Sequence, residues 1–414
     1  MHYVSSSQCR ECHPSHYDGW QDSLHPTMFH PVADKKILAD FSKVDFELPF
    51  TRQDIDFVVG TKWEQLYVTM IDGEYYPLPA KWLIDQKRWV KYRTETWRDT
   101  PMSKKCNGCH VTGFQSDTLE FNEFGIGCEA CHGPGSIHVH NRTIEDSSTC
   151  RLCHRKERVT KGDIVRSVSG AVCGQCHNRG RDIPDSAREQ FVFNFPVNMA
   201  PGETISPTFT PTTLKNDKEN KFWWGNGIAR QRHQEFAEWE KSNHAIALEM
   251  MREQYVEEKG PITGQCLSCH SADYILSEEP DRPDLHSASY GITCTVCHSP
   301  HGSYTSVTTQ EKSRRCLPCH DISHESCPSP TQQPHFPCPE TRIGCEDCHM
   351  PYTVKNAGAF TIRSHGFKII SPSETRTLSV PNSCQNGGCH QDKSLDWAEQ
   401  QFKQFYPDFG AATN

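Results

Sequence analysis

Two stretches of the chain show a clear alternation of apolar and polar positions. Residues 66–78, LYVTMIDGEYYPL, carry apolar residues on both sides of Asp72-Gly73, a dipeptide typical of two-residue turns, and predict a β-hairpin. Residues 232–259 contain no proline and alternate apolar with charged residues up to Gly260, which predicts a single helix. On that helix His233 and His244 would share one face, about 16 Å apart.

Composition changes this picture, because the chain is short of core-forming side chains. Its 414 residues are enough for two domains, yet only 35% are hydrophobic and 22 are cysteine. We therefore expect something other than side chains to supply much of the buried apolar area. The net charge of −9 argues against nucleic acid and anionic membranes as partners.

The sequence predicts neither a membrane span nor a signal peptide. No run of 18 apolar residues occurs, so no transmembrane helix is expected. The N-terminal stretch MHYVSSSQCR lacks the basic and apolar regions of a signal peptide. If the chain is exported, we expect this to be its mature form.

The cysteines follow a repeated motif that carries the chemistry. Nine times the chain reads Cys-x-x-Cys-His, the pattern of c-type haem attachment. Two thiols on one turn reach the two vinyl groups of one porphyrin, and the next residue offers an imidazole to the iron. Zinc ribbons and thioredoxin-like disulfides are the alternatives, but neither needs a histidine after each cysteine pair.

The motif residues are as follows. The paired cysteines are Cys9 and Cys12, Cys106 and Cys109, Cys128 and Cys131, Cys150 and Cys153, Cys173 and Cys176, Cys266 and Cys269, Cys294 and Cys297, Cys316 and Cys319, and Cys345 and Cys348. The predicted proximal ligands are His13, His110, His132, His154, His177, His270, His298, His320 and His349.

Residues 383–391, SCQNGGCHQ, form a stretched version of the motif. Cys384 and Cys389 precede His390 with two extra residues between them, and Gly387 and Gly388 ease the bulge that closes the longer loop. We expect a tenth haem here, with His390 as its proximal ligand. A disulfide loop that happens to precede a histidine is the alternative.

Two cysteines remain, Cys327 and Cys338, and neither precedes a histidine. Covalent haem attachment occurs outside the cytoplasm, in an oxidising setting. We therefore expect these two cysteines to form a disulfide. A pair of free thiols is the alternative.

The histidine count predicts a second imidazole for every iron. Ten proximal histidines leave thirteen of the 23, and the eight methionines do not cluster near the motifs. Bis-histidine ligation is therefore expected, with lower potentials than Met/His ligation gives. The distal candidates are His16, His25, His30, His138, His233, His244, His301, His324, His335 and His365, followed by His2, His140 and His286.

Some distal candidates lie in recurring contexts. His16 and His301 each stand three residues after a motif histidine, and His324 stands four residues after one, offsets that suit ligation of a neighbouring iron. His25 and His244 each end the sequence Trp-x-x-Ser-x-His. The alternative for the histidines of residues 232–259 is that they are solvated side chains on a polar helix.

The motifs also repeat as a set, which indicates duplication. By interval, the motifs at Cys106, Cys128, Cys150 and Cys173 match those at Cys266, Cys294, Cys316 and Cys345, and GIGCEACHGP corresponds to GITCTVCHSP. We expect an N-terminal half with five haems at residues 1–177, a haem-free loop or linker at 178–230, and a C-terminal half with five haems at 231–414. A haem-free, β-containing insert at about 41–105 would cover haem edges or form a docking surface.

The fold class expected from these features is a multihaem cytochrome c. With about forty residues per haem, the porphyrins would form most of the core, wrapped by short helices and irregular chain, with a small β-hairpin. The motif spacings of about 22 residues leave little chain to separate consecutive haems.

Several segments resemble known multihaem c-type cytochromes. QCRECHPSHYDGWQDSLH resembles the opening of the tetrahaem cytochromes of ammonia oxidisers. GCEDCHMPYTVKNAGAFTIRSHGF resembles the C-terminal part of the pentahaem nitrite reductases, which implies a distal-ligand role for His365. RQRHQEFAEWEKSNHA is similar to the preceding helix of those enzymes, and octahaem hydroxylamine oxidoreductases and tetrathionate reductases share these parts. The pentahaem reductases place a lysine in the motif of the catalytic haem, whereas no Cys-x-x-Cys-Lys occurs here.

These observations predict an electron-transfer protein rather than an enzyme. It would carry ten haem c groups, be located in the periplasm or outside the cell, and exchange electrons with redox proteins or an extracellular acceptor. One alternative is a reductase or oxidase of a small nitrogen or sulfur compound, which needs an iron with an open position. The other is a subunit of a cytochrome filament or complex.

Overall fold

The computed structural model describes residues 1–32, 36–141, 164–183, 192–197, 199–205, 209–258, 264–302, 315–320, 344–356, 359–387 and 389–407. The chain forms two compact units, one built from Met1–Pro211 with His298–Tyr304 and the other from Thr212–Cys297 with Thr305–Asn414. The expected division into two five-haem halves stays a prediction. Outside the described residues lie Cys150, Cys153, His154, His324, Cys327, His335 and Cys338, so the expected disulfide also stays a prediction.

The helices of the first unit are short. They are α1 (Ser6–Cys9), α2 (Pro14–Gln21), α3 (Met102–Lys105), α4 (Asn107–His110), α5 (Cys128–His132), α6 (Ser136–Asn141) and α7 (Ala171–Gly174). Their ends follow local sequence. Pro14 begins α2, since proline lacks the N–H that a first helical residue leaves unpaired. Gly133, at φ +80°, ends α5 directly after the motif histidine.

The strands that the structure describes in the first unit form three antiparallel sheets. They are β1 (His30–Pro31), β2 (Phe57–Val59), β3 (Glu64–Ile71), β4 (Glu74–Leu83), β5 (Arg88–Lys91), β6 (Val111–Thr112), β7 (Glu123–Phe124), β8 (Gly180–Asp182) and β9 (Phe209–Pro211). The first five form one sheet in sequence order, and the others pair as β6–β7 and β8–β9.

The predicted hairpin is confirmed as β3 and β4. Ile71 pairs with Glu74, and Asp72 and Gly73 between them have φ of +51° and +82°, as a type I′ turn requires. The sheet contains three more strands than the predicted hairpin. These strands have only two to four residues, too few alternating positions for the sequence to predict them.

Both faces of this sheet are covered. On one face a buried cluster contains Tyr67, Trp82 and Trp89, and each of these three side chains is at most 3% exposed. On the other face Val68 packs with Met102, which begins the short helix just before the Cys106 motif. The sheet is therefore attached to a haem-binding motif through its core.

The second unit contains nine described helices. They are α8 (Glu235–Trp239), α9 (Ala247–Glu258), α10 (Gly264–His270), α11 (Ala272–Ile275), α12 (Cys294–Cys297), α13 (Leu317–His320), α14 (Cys345–His349), α15 (Pro372–Leu378) and α16 (Leu395–Phe405). Strands β10 (Tyr352–Asn356) and β11 (Ala359–Arg363) form a hairpin. Among the described residues, none of the helices has the length and apolar content that a membrane crossing requires.

The single helix predicted at residues 232–259 is wrong. The structure has two helices, α8 and α9, separated at residues 240–246, and His233 has a left-handed φ of +66°. The Ser242 hydroxyl donates to the carbonyl of Trp239 three residues earlier, and the carbonyl of His244 accepts from the distant Ile292 N–H. One local side-chain bond and one tertiary bond thus take the place of helical bonds. His233 and His244 therefore do not share a helix face.

Candidate functional site

The described Cys-x-x-Cys-His motifs form single helical turns. The N–H of His13 donates to the carbonyl of Cys9 at 2.9 Å, and the same bond recurs from His177 to Cys173 at 2.9 Å. Helices α5 and α14 coincide with their motifs from first cysteine to histidine. Side chains at i, i+3 and i+4 lie on one helix face, so each turn presents two thiols and one imidazole together. This is the donor set that haem c requires.

The stretched motif is not helical. Gly387 has a left-handed φ of +61°, in agreement with the expected bulge, and Cys389 N–H donates to the carbonyl of Asn386 at 3.0 Å. His390 also has a left-handed φ, +41°, and its ring centre lies 5.0 Å from that of Trp397. The backbone of this loop thus differs from that of the regular motifs that the structure describes.

Several motif imidazoles are oriented by backbone carbonyls. The Nδ1 atoms of His110, His132 and His270 lie 3.4, 2.7 and 3.0 Å from the carbonyl oxygens of Met28, Val165 and Ala247, respectively. A histidine that binds a metal usually donates its other ring N–H to such an acceptor, which fixes the tautomer. These contacts leave Nε2 of each ring for iron.

Imidazole pairs have the separation that one iron between them requires. Metal–nitrogen bonds of about 2.0–2.1 Å put opposed nitrogens about 4 Å apart and the ring centres about 6 Å apart. The measured centre distances are 6.3 Å for His13–His138, 5.8 Å for His132–His301 and 5.9 Å for His244–His320. The residues present therefore fit bis-histidine haem.

One pair of distal candidates does not fit. The rings of His16 and His301 lie only 4.7 Å apart, too close for an iron to lie between them. His16 also lies 6.1 Å from His13, but the two are separated by a single turn of the same segment. A histidine on the far side of a porphyrin cannot follow so closely in the chain, which favours His138 as the residue opposite His13.

Burial favours the neutral form of several distal candidates, among them His25 and His244. Burial, with a smaller contribution from nearby His177, lowers the pKa of His25 to about 4. Burial and nearby His320 likewise lower the pKa of His244 to about 4. A neutral imidazole keeps the nitrogen lone pair that iron binding uses. The contribution of His177 to the pKa of His25 also shows that the two side chains lie in the same neighbourhood.

A repeated set of hydrogen bonds positions His25 and His244. The indole Nε1 of Trp20 donates to the carbonyl of Ile126 at 2.8 Å, and Ile126 N–H donates to the carbonyl of His25 at 3.0 Å. In the second unit Trp239 donates to Ile292 at 2.8 Å, and Ile292 N–H donates to His244 at 2.8 Å. We call these two arrangements the tryptophan clamps.

Each clamp depends on a glycine before the isoleucine. A Cβ added at Gly125 would lie 2.5 Å from the carbonyl oxygen of Pro26, and one added at Gly291 would lie 2.4 Å from that of Ala245. Pro26 and Ala245 follow the clamped histidines directly. This explains why Trp-x-x-Ser-x-His and the sequence Gly-Ile before a haem motif repeat together.

The same contacts revise the alignment of the two halves. His110 and His270 contact the carbonyls of Met28 and Ala247, each three residues after a clamped histidine. His25 lies near His177 of the Cys173 motif, whereas His244 lies near His320 of the Cys316 motif. The contacts therefore match the Cys173 motif with the Cys316 motif, whereas the intervals matched Cys316 with Cys150.

Two motif-to-motif contacts agree with this match. In the first unit Cys176 Sγ lies 3.9 Å from the carbonyl oxygen of Gly108, inside the Cys106 motif. In the second unit Cys269 Sγ lies 3.9 Å from the carbonyl oxygen of Pro318, inside the Cys316 motif. In each unit, therefore, a thiol of one motif lies against the backbone of another, and the two motifs in contact are the corresponding ones.

Other distal candidates differ in their surroundings. His30 is 7% exposed, its Nδ1 lies 3.0 Å from the carbonyl oxygen of Pro31, and its Nε2 is buried with no hydrogen-bond partner among the described residues. His233 is half-buried, whereas the second-choice candidates His2, His140 and His286 are exposed. The orphan Nε2 of His30 is the atom that a metal would satisfy.

A buried carboxylate holds the segment of His365. Glu238 accepts hydrogen bonds from Ala229 N–H, Ser364 Oγ and His365 N–H, each at 2.8 Å. Burial raises the pKa of Glu238 to about 7. His365 Nδ1 lies 3.2 Å from the carbonyl oxygen of Arg363, which orients its ring as in the motif histidines. Sequence reasoning did not identify Glu238, since nothing in the pattern marks a charged residue of a short helix as buried.

Comparisons with known proteins agree with the site. Residues 82–133 and 230–299 match the sequence profile of the family described as cytochrome c554 and c-prime. The structure is similar to that of the outer cell wall cytochrome OcwA, with a TM-score of 0.78 and 25% identity over 99% of this chain and 88% of that one.

A second structural match is weaker. An undecahaem cytochrome from the S-layer of Carboxydothermus ferrireducens has a TM-score of 0.48 and 20% identity over 97% of this chain and 60% of that one. A search of curated protein sequences finds no match. The likeness in fold therefore rests on the OcwA structure.

Proposed function

We propose that this chain, a multihaem c-type cytochrome, is an electron-transfer protein of the cell exterior. It exchanges electrons with other redox proteins or an extracellular acceptor. Haem c supplies the reversible one-electron iron couple. The role of the polypeptide is to hold the haems, to supply their ligands and to keep small molecules away from the irons. The outer cell wall cytochrome it resembles supports the proposed location.

The observation that carries the proposal is the opposition of imidazoles in pairs. His13 with His138, His132 with His301 and His244 with His320 have centre distances of 5.8 to 6.3 Å. An iron held from both sides has no position for a substrate, which suits electron transfer and disfavours catalysis. We assign the first residue of the first two pairs and His320 as proximal ligands, and their partners as distal ligands.

Further ligands follow from proximity and orientation. His25 opposite His177 completes a fourth pair, supported by the effect of His177 on the pKa of His25. His30 and His365 are proposed as distal ligands because backbone carbonyls orient their rings. Including the stretched motif of His390, we propose ten haem c groups in total.

Contacts between motifs support a continuous path rather than isolated sites. The side chain of Cys9 lies close to that of Cys128, and the side chain of Cys316 lies close to that of Cys345. Attachment points that touch require haems bound at neighbouring places. The order of neighbours therefore differs from the order of motifs in the sequence.

Spectroscopy of the purified holoprotein tests the proposal. We expect a uniformly low-spin oxidised spectrum by electron paramagnetic resonance and almost no carbon monoxide binding after reduction, because every iron keeps two imidazoles. A high-spin signal from one haem that persists at all protein concentrations, with turnover of nitrite, hydroxylamine or tetrathionate, would replace the proposal by the reductase alternative. A high-spin signal that appears only on dilution would show that another subunit donates a ligand.

A further inference from the structure

Positive charge is concentrated in the last strand of the five-stranded sheet and the residues that follow it. Residues 81–105 contain eight basic and three acidic side chains, a net charge of +5 in a chain of net charge −9. Five exposed cations lie on or beside β5: they are Lys87, Arg88, Lys91, Arg93 and Arg98. We call these five residues the basic edge.

Three cations of the basic edge are paired with aromatic rings rather than with carboxylates in the part of the chain that the structure describes. Among the described residues, no carboxylate forms an ion pair with any of the five. Lys91 instead lies 5.6 Å from the ring centre of Phe46, Arg93 lies 5.4 Å from Tyr92, and Arg98 lies 4.8 Å from Trp97. An aromatic ring stabilises a cation without neutralising its charge, so the electrostatic potential at the basic edge remains positive.

The basic edge is joined to a haem motif. Ser103 donates a hydrogen bond to Glu74 of β4, and fully buried Met102 packs against the sheet. Lys104 and Lys105 complete the same helix and lead directly into Cys106. A partner that binds the edge is thereby brought to the sheet that supports the Cys106 site.

We propose that the basic edge docks an acidic electron-transfer protein. The proposal rests on the proposed function and adds the charge of the partner and the place where it binds. At physiological salt the Debye length is about 8 Å, so a partner in contact senses the local positive cluster more than the distant net negative charge. Complementary charge chiefly accelerates association and selects the partner.

A protein partner fits better than an acidic glycan. Sugars stack on open aromatic faces, whereas Tyr92, Trp97 and Phe46 each have a cation of the edge over the ring. A guarding role is the simpler alternative, since exposed lysines on an edge strand also prevent pairing with other strands. The experiment separates these possibilities.

The test compares two variants with the same change of charge. Lys91→Glu with Arg93→Glu alters the basic edge, and Lys215→Glu with Lys218→Glu alters exposed lysines of the second unit. The probe is fluorescent poly-L-glutamate, used with the holoprotein. We expect the wild type and the control variant to bind it with an affinity that falls as salt rises, and the edge variant to bind about tenfold more weakly.

Small oxidants give a second readout. At low salt, oxidation of the reduced holoprotein by ferricyanide, an anion, should slow about tenfold in the edge variant, while oxidation by the cation hexaammineruthenium(III) should accelerate. The control variant should keep both rates within about twofold. If wild-type protein is not oxidised by either complex, the electron-transfer function fails, whatever the outcome of the binding experiment.

Specific outcomes overturn the docking proposal. Equal poly-L-glutamate affinity of both variants would leave only the guarding role. Tighter binding of hyaluronate than of poly-L-glutamate would indicate a glycan. Salt-sensitive self-association that is lost in the edge variant would indicate a second copy of the chain. If the edge variant does not fold, as judged by circular dichroism, Lys91→Gln with Arg93→Gln should still weaken binding about threefold.

Discussion

The indole Nε1 of Trp239 lies 2.8 Å from the carbonyl oxygen of Ile292, and the N–H of the same isoleucine bonds the carbonyl of His244. The side chain of one residue thus fixes the backbone of a proposed iron ligand through a third residue. Trp20, Ile126 and His25 repeat the arrangement in the first unit.

Trp239→Phe should therefore loosen His244 without removing a haem. The variant loses one partly buried hydrogen bond, about 1 kcal/mol of unfolding free energy. We expect unchanged haem content by intact mass but a measurable rate of carbon monoxide binding at one haem. Trp224→Phe is the matched control, because Trp224 also donates from a buried indole, to Thr353 at 3.1 Å. Equal carbon monoxide binding in both variants would contradict a positioning role for Trp239.

His244→Ala should open one iron completely. His320 would keep its place as proximal ligand and the opposite position would be vacant, since the two rings lie 5.9 Å apart. We expect a high-spin signal and carbon monoxide binding that correspond to about one haem per chain. His286→Ala, at an exposed histidine, should leave the spectrum unchanged. A fully low-spin His244→Ala protein would rule out the assigned pair.

The haem count depends on the stretched motif. Intact mass of the purified chain should correspond to ten haems, and the peptide with Cys384 and Cys389 should retain one. Replacement of both cysteines by serine should reduce the count to nine. A wild-type mass of nine haems, with those two cysteines joined to each other, would show that the loop is a disulfide.

Glu123 should make stability depend on pH. Burial, opposed by hydrogen bonds from Ser6, raises its pKa above the ordinary 4.5. A raised pKa in the folded state means that the stabilisation is complete below 4.5 and is lost as pH rises through the folded-state value.

Glu123→Gln should remove this dependence, so the variant should gain stability relative to wild type between pH 4.5 and neutrality. Guanidinium unfolding followed by circular dichroism measures the difference, with the exposed Glu120→Gln as control. A difference that stays constant with pH would exclude Glu123 as the titrating group.

Local sequence was sufficient where local bonds decide the structure. Asp72-Gly73 specifies its turn through two left-handed residues, and the spacing of Cys128, Cys131 and His132 matches one turn of helix. The helix predicted at 232–259 failed because bonds to a distant residue, Ile292, terminate it. Propensity and periodicity contain no information about such partners.

Which imidazoles lie opposite each other could not be predicted from the sequence for the same reason. The count of histidines predicted two per iron, but His132 and His301 are separated by 168 intervening residues and meet only in the folded chain. The buried carboxylate of Glu238 was missed because burial is a tertiary property.

The revised match of Cys173 with Cys316 has a consequence for how such chains grow. Between Cys128 and Cys173 the first unit contains one more motif, that of Cys150, than the second unit has between Cys294 and Cys316. Yet the tryptophan clamps and the contacts between corresponding motifs are the same in the two units. The described contacts of the repeating frame are thus shared, although the sequence between the matched motifs differs by one motif. Under the proposed function, the number of haems in such a chain can change in evolution, or in engineering, by lengthening one connection.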